Sequence, residues 1–124
     1  MSAEKWFRYL EEVHYATRHL NPGSTSRERV KVAILDTGVY FEHPDFKKAT
    51  NRNVLQKDRC RGFPSHLDAC LDKNGHGTHC ASVLLRTAPN IDLYVAKVFD
   101  DSGKVVPEDS YEGIVSVRSR NSAH

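Results

Sequence analysis

The chain has 124 residues, with 18 Lys and Arg against 16 Asp and Glu and a formal net charge of +2. That length supports one domain able to bury about two-thirds of its unfolded surface. The near-neutral charge gives no electrostatic footing for nucleic acid or an anionic membrane, and no window approaches the ~18 consecutive apolar residues of a membrane span.

The N-terminal run Met1-Ser2-Ala3-Glu4-Lys5-Trp6 is polar and then amphipathic. It lacks the apolar stretch of a secretion signal, so with Met1 as the start the expected location is intracellular. Three cysteines, Cys60, Cys70 and Cys80, are an odd number and do not read as a disulfide framework. Free thiols in a reducing compartment are the expectation; a Cys60–Cys70 loop closure is the alternative in an oxidising one.

Residues 3–19 predict a helix, because Trp6, Phe7, Leu10 and Val13 share one face at 3.6-residue spacing. Ser2 can cap it, Glu4 suits its first turn, and Asn21-Pro22-Gly23 stops it. The polar stretch Ser24–Arg29 reads as a linker. Val30–Leu35 predicts a strand with apolar residues on both sides, the pattern of a parallel strand buried between helices. His43-Pro44-Asp45 predicts an irregular turn in which proline forbids a continuing helix.

Residues 47–71 are basic and poor in apolar anchors. Apart from a short strand near Val54–Leu55, they read as a long surface loop. A helix follows over 77–86 and ends at Ala88-Pro89-Asn90. Ile91–Phe99 predicts a second strong strand, Asp100-Asp101-Ser102-Gly103 a turn, and Glu108 onward a further helix. After Val115 the apolar pattern fails. The order helix, strand, helix, strand, helix belongs to a partial doubly wound parallel sheet of the α/β class, preceded by an amphipathic helix.

Two short strings carry chemistry. Asp36-Thr37-Gly38 follows the first strand, at the carboxyl end where open α/β sheets place their sites. His76-Gly77-Thr78-His79 opens a helix, whose positive end favours a neutral imidazole and thus a general base. Taken singly, Asp36 is also a turn-forming residue and His76 a polar helix start. A zinc module built from Cys60, Cys70, His76, His79 and Cys80 is a rival, but those residues lack paired Cys-x-x-Cys knuckles.

Taken together, Val32-Ala33-Ile34-Leu35-Asp36-Thr37-Gly38, then His43-Pro44-Asp45, then Asn74-Gly75-His76-Gly77-Thr78-His79-Cys80-Ala81-Ser82 resemble the subtilisin-like serine proteases, or subtilases. The likeness continues through Ala88-Pro89 and Leu93–Val98 and covers residues 30–115. It divides the chain into an N-terminal helix and linker (1–29), the first part of a peptidase domain (30–115) and a divergent tail (116–124). It implies that Asp36 orients His76, and that His76 takes a proton from a serine. It implies substrate contacts at Asn74 and Gly75 on one rim of a cleft and at Ser102, Gly103 and Lys104 on the other. A polypeptide is the implied substrate, once a downstream segment completes the site; no cofactor, nucleic acid or membrane is expected.

Cys80 resembles the cysteine that proteinase-K-like members carry beside the catalytic histidine, although plain core packing is the simpler expectation. His79 is expected to face away as a packed histidine. Asp45 resembles a calcium-binding residue of secreted members, but one carboxylate falls short of the oxygens calcium takes, so no metal is expected.

The resemblance also requires a later Gly-Thr-Ser and an oxyanion donor, and neither follows His79 in these residues. Gly23-Ser24-Thr25-Ser26 precedes Asp36 and continues into charged residues, unlike a nucleophile turn. The expectation is therefore a family peptidase whose 124 residues are inactive by themselves, as from a truncated gene product. The alternative is a pseudoenzyme or peptide-binding remnant.

Overall fold

The computed structural model describes residues 1–17 and 29–105. The linker, the helix expected from Glu108 and the tail lie outside the described residues. Along the chain come α1 (Ala3–Thr17), β1 (Val30–Asp36), a 3-10 turn (Pro44–Phe46), α2 (Lys47–Asn51), β2 (Leu55–Gly62), α3 (His76–Thr87) and β3 (Ile91–Lys97). The strands form one parallel sheet in the order β1-β3-β2. This is the partial α/β fold expected from the sequence.

The strand order decides which strand is buried. β3 lies between two partners and is buried at six of its seven positions, whereas β1 is an edge strand, half-buried along its length with Val30 exposed. The full burial expected of Val30–Leu35 thus belongs to β3. One face of the sheet packs Ile91, Leu93 and Val95 with Val39, Phe46, Val54, Leu55 and Ala81 into the main core. The other face carries a smaller cluster of Phe63, Ala96 and Val98, flanked by Leu35 and Phe99.

β2 corrects the surface loop expected over residues 47–71. Its sequence, Leu-Gln-Lys-Asp-Arg-Cys-Arg-Gly, does not alternate, because its register on β3 shifts between Leu55 and Cys60 and breaks the period of two. Its charged residues have uses in the tertiary structure. Arg59 bonds the buried Asp92 of β3 at 3.2 Å and lies 5.4 Å over the Tyr94 ring. Pro44 also acts differently from expectation. It opens the 3-10 turn at a position where its missing N–H costs nothing, the His43 ring accepts from the Asp45 N–H, and α2 follows at once.

α1 begins where expected, with Ser2 Oγ accepting from the Lys5 N–H at 3.2 Å. It docks on α3 through a narrow strip. The Arg86 guanidinium lies 4.0 Å over the Phe7 ring and donates to the Glu4 carboxylate at 3.2 Å. Phe7 and Leu10 are half-buried, while Trp6 and Val13, expected on the inner face, stay exposed, with no element among the described residues covering that side. Among the described residues, no helix is long and apolar enough to cross a membrane.

Candidate active site

The carboxyl end of β1 and the first turn of α3 meet at closest approach. Gly77 is buried, and a Cβ there would overlap the carbonyl oxygen of Gly38. Gly38 itself has φ +97°, and a Cβ on it would lie 2.8 Å from the Leu71 carbonyl oxygen. Both positions therefore require glycine, one for close approach and one also for conformation. This contact brings together two residues forty positions apart.

Asp36 and His76 form a direct pair. His76 Nδ1 lies 2.9 Å from Asp36 Oδ1 and 3.0 Å from Oδ2. Asp36 is half-buried with 13% of its side chain exposed, whereas the His76 ring is 66% exposed and open toward solvent. An acceptor-only carboxylate on Nδ1 puts the proton there in the neutral ring and leaves Nε2 as the free base. The hydrogen bond that Asp36 accepts from His76, and then the Asp36 charge, raise the His76 pKa above 6.5. The helix N-terminus, expected to keep this ring neutral, is outweighed by that carboxylate.

Asp72, which the sequence reading passed over, lies at the centre of the surrounding hydrogen bonds. Its Oδ1 accepts from the Thr37 hydroxyl at 2.8 Å and the Gly75 N–H at 2.9 Å. Its Oδ2 accepts from the N–H and hydroxyl of Thr78 at 2.9 and 2.6 Å. Burial pushes the Asp72 carboxyl up, but the Thr78 hydroxyl, the Gly75 and Thr78 N–H groups and the Thr37 hydroxyl outweigh it and hold the group below 3.8. Gly75, at the helix cap, has no side chain to accept these N–H groups, so an acid three residues earlier was the signal available in the sequence.

Cys80 corrects the expectation of core packing. Its Sγ lies 3.7 Å from His76 Nδ1 and 4.0 Å from Nε2, against the catalytic-type pair. Burial and then the Asp36 charge raise its pKa, so the thiol stays protonated at neutral pH. His79, expected to be packed, is exposed and lines a cavity with Tyr40, His43 and Ser82.

Among the described residues, Asp36, His76 and Cys80 are the group whose metal-binding atoms all lie within 4.8 Å of one another. Cys60 Sγ donates to the Gln56 carbonyl at 3.4 Å, and none of Cys60, Cys70 and His79 joins that group, so the five residues of the zinc rival do not converge. Among the described residues, the other carboxylate lining the cavity beside Asp45 is Asp72, whose oxygens already accept four hydrogen bonds.

The two rims expected to flank a substrate touch each other. Asn74 Nδ2 donates to the Asp101 carbonyl at 3.2 Å, and a Cβ on Gly103 would lie 3.6 Å from that nitrogen. Lys97, buried at the end of β3, donates from Nζ to the Leu71 carbonyl at 3.0 Å and to Asp101 Oδ1 at 2.8 Å. Ser102, Gly103 and Lys104 are exposed, and their N–H groups are all engaged by Asp100.

The geometry is that of an aspartate orienting a histidine at the open end of a parallel sheet, and comparison with known proteins agrees. The model of the Subtilase family matches residues 27–122. The chain belongs to the subtilase family. Over 91 residues it is 36% identical to a subtilisin from Bacillus sp. (strain TA39), covering 64% of this chain and 21% of that protein. It is 39% identical over 85 residues to an intracellular serine protease of Paenibacillus polymyxa, covering 60% of this chain and 24% of that one. It is 35% identical over 96 residues to subtilisin DY of Bacillus licheniformis, covering 70% and 30%. The chain thus spans less than a third of the length of these subtilases.

Proposed function

We propose that this subtilase chain carries the Asp36–His76 part of a serine endopeptidase and needs a serine from outside residues 1–124 to act. The observation that carries this reading is the 2.9 Å contact from His76 Nδ1 to Asp36, with the Nε2 edge of an exposed ring left for a nucleophile. His76 would take the proton of the serine hydroxyl at Nε2. Asp36 would hold the tautomer and stabilise the imidazolium that forms.

A polypeptide would lie over the exposed seam where Asn74 and Gly75 meet the 102–104 turn. Since the N–H groups of that turn are already bound to Asp100, it would meet a peptide with carbonyl oxygens and side chains. Three free thiols support an intracellular setting, which fractionation of the tagged protein tests.

Without the nucleophile, rates fall by several powers of ten, so the 124-residue chain is expected to be inactive. A fluorophosphonate probe should leave these 124 residues unlabelled. It should label a longer product containing the downstream serine, and the label should be lost on His76→Ala. An unlabelled longer product would overturn the peptidase reading and leave the scaffold as a pseudoenzyme. Labelling of the 124-residue chain would overturn its inactivity.

A further inference from the structure

We propose that Asp72 is a positioning residue, which sets the Asp36–His76 contact by fastening the end of β1 and the start of α3 to one carboxylate. This rests on the reading of Asp36 and His76 as the catalytic pair.

The bonds form a reciprocal clasp. Each of two hydroxyls gives its single proton to Asp72 and then accepts a backbone N–H from the opposite element. The Thr37 hydroxyl, just beyond β1, donates to Asp72 at 2.8 Å and accepts from the Gly77 N–H of α3 at 2.9 Å. The Thr78 hydroxyl, on α3, donates to Asp72 at 2.6 Å and accepts from the Tyr40 N–H beyond β1 at 2.9 Å. A hydroxyl has one proton and two lone pairs, and an ionised carboxylate can only accept. Asp72 therefore fixes the direction of both hydroxyls at once.

The clasp lies one residue from each member of the pair. Thr37 adjoins Asp36 and donates its own N–H to Asp36 Oδ1 at 2.7 Å. Gly75 and Gly77 flank His76, one bound to Asp72 directly and the other through Thr37. Catalytic geometry has to be held within about 0.5 Å, and such a shared acceptor holds two separate elements to that tolerance. A plain helix cap would serve stability alone; it would not require bonds that return to β1.

The test reads the His76 tautomer from imidazole 15N shifts in the folded 124-residue chain. The wild type should show the Nδ1–H form, and Asp36→Asn should revert it to the ordinary Nε2–H form. Asp72→Ala should also lose the Nδ1–H form, and Asp72→Asn should weaken it, because its NH2 group faces the Thr78 N–H where an oxygen accepted before. Thr37→Val should lose it with the Asp72 cap on α3 intact, and it decides the matter should Asp72→Ala not fold. If Asp36→Asn reverts the ring while folded Asp72→Ala or Thr37→Val retains the Nδ1–H form, the clasp proposal fails. If Asp36→Asn changes nothing, the catalytic pair itself is wrong.

Discussion

Each end of the parallel sheet holds a carboxylate with several donors, but the donors differ in kind. At the carboxyl end, Asp72 takes four hydrogen bonds from hydroxyls and backbone N–H groups. At the amino end, Asp92, only 3% exposed, faces Arg29 at 3.5 Å and Arg59 at 3.2 Å. There the Arg29 Nε and the nearby Lys31 Nζ are buried without a hydrogen-bond partner among the described residues. Neutral donors with fixed directions give one end geometric definition. At the other end one Arg59 hydrogen bond and the looser charge attraction of Arg29 share a single anion, a set less saturated in direction. The definition lies at the end that holds the Asp36–His76 pair.

The largest expected effect falls at the amino end. Asp92→Ala leaves two guanidinium groups without their shared anion and should cost about 3–5 kcal/mol in urea unfolding. It should leave the His76 tautomer as it is. A cost under about 1 kcal/mol would mean that the Asp92 cluster is not a structural centre. Next comes Gly77→Ala, which forces a methyl group into the Gly38 carbonyl and should destabilise by about 2–3 kcal/mol. Unlike the Asp92 change, it should disturb His76 as well, because it separates α3 from β1.

A smaller effect is electrostatic. His76 should titrate above 6.5 by NMR, and Asp36→Asn should bring it back toward that value. Because the folded-state pKa is the higher one, the stabilisation from this pair is fully present below about 6.5, the unfolded value, and is lost as pH rises through the folded value. A His76 pKa at or below 6.5 in the wild type would contradict the Asp36 contact. The smallest effect concerns thiol reactivity. Burial first, then the neighbouring Cys70, push Cys60 up to about 12, so its alkylation near pH 8 should lag behind that of Cys80. Faster labelling of Cys60 would show that the sheet opens on that side.

Asp36 and His76 were legible because each sits in a contiguous string whose residues do local work: Gly38 turns the chain and Gly77 lets the helix approach. β3 was legible because an apolar strand advertises itself by composition. β2 was not, since its bulged register erases alternation and its Arg59 is answered by Asp92 on another strand. The exposure of Trp6 and Val13 was not legible either, because helical periodicity gives a face but not whether anything covers it.

The sequence by itself determined the chemical pair, the family and the two apolar strands, because those depend on neighbours within a few residues. Only the tertiary structure decided which strand lies in the middle, that residues 55–62 join the sheet, and that Asp72 accepts hydrogen bonds from Thr37 and Thr78 at once. Hydrogen bonds between residues 35 positions apart, such as Thr37 to Asp72, leave no periodic trace in a linear chain. They come into being only once β1 and α3 are packed side by side.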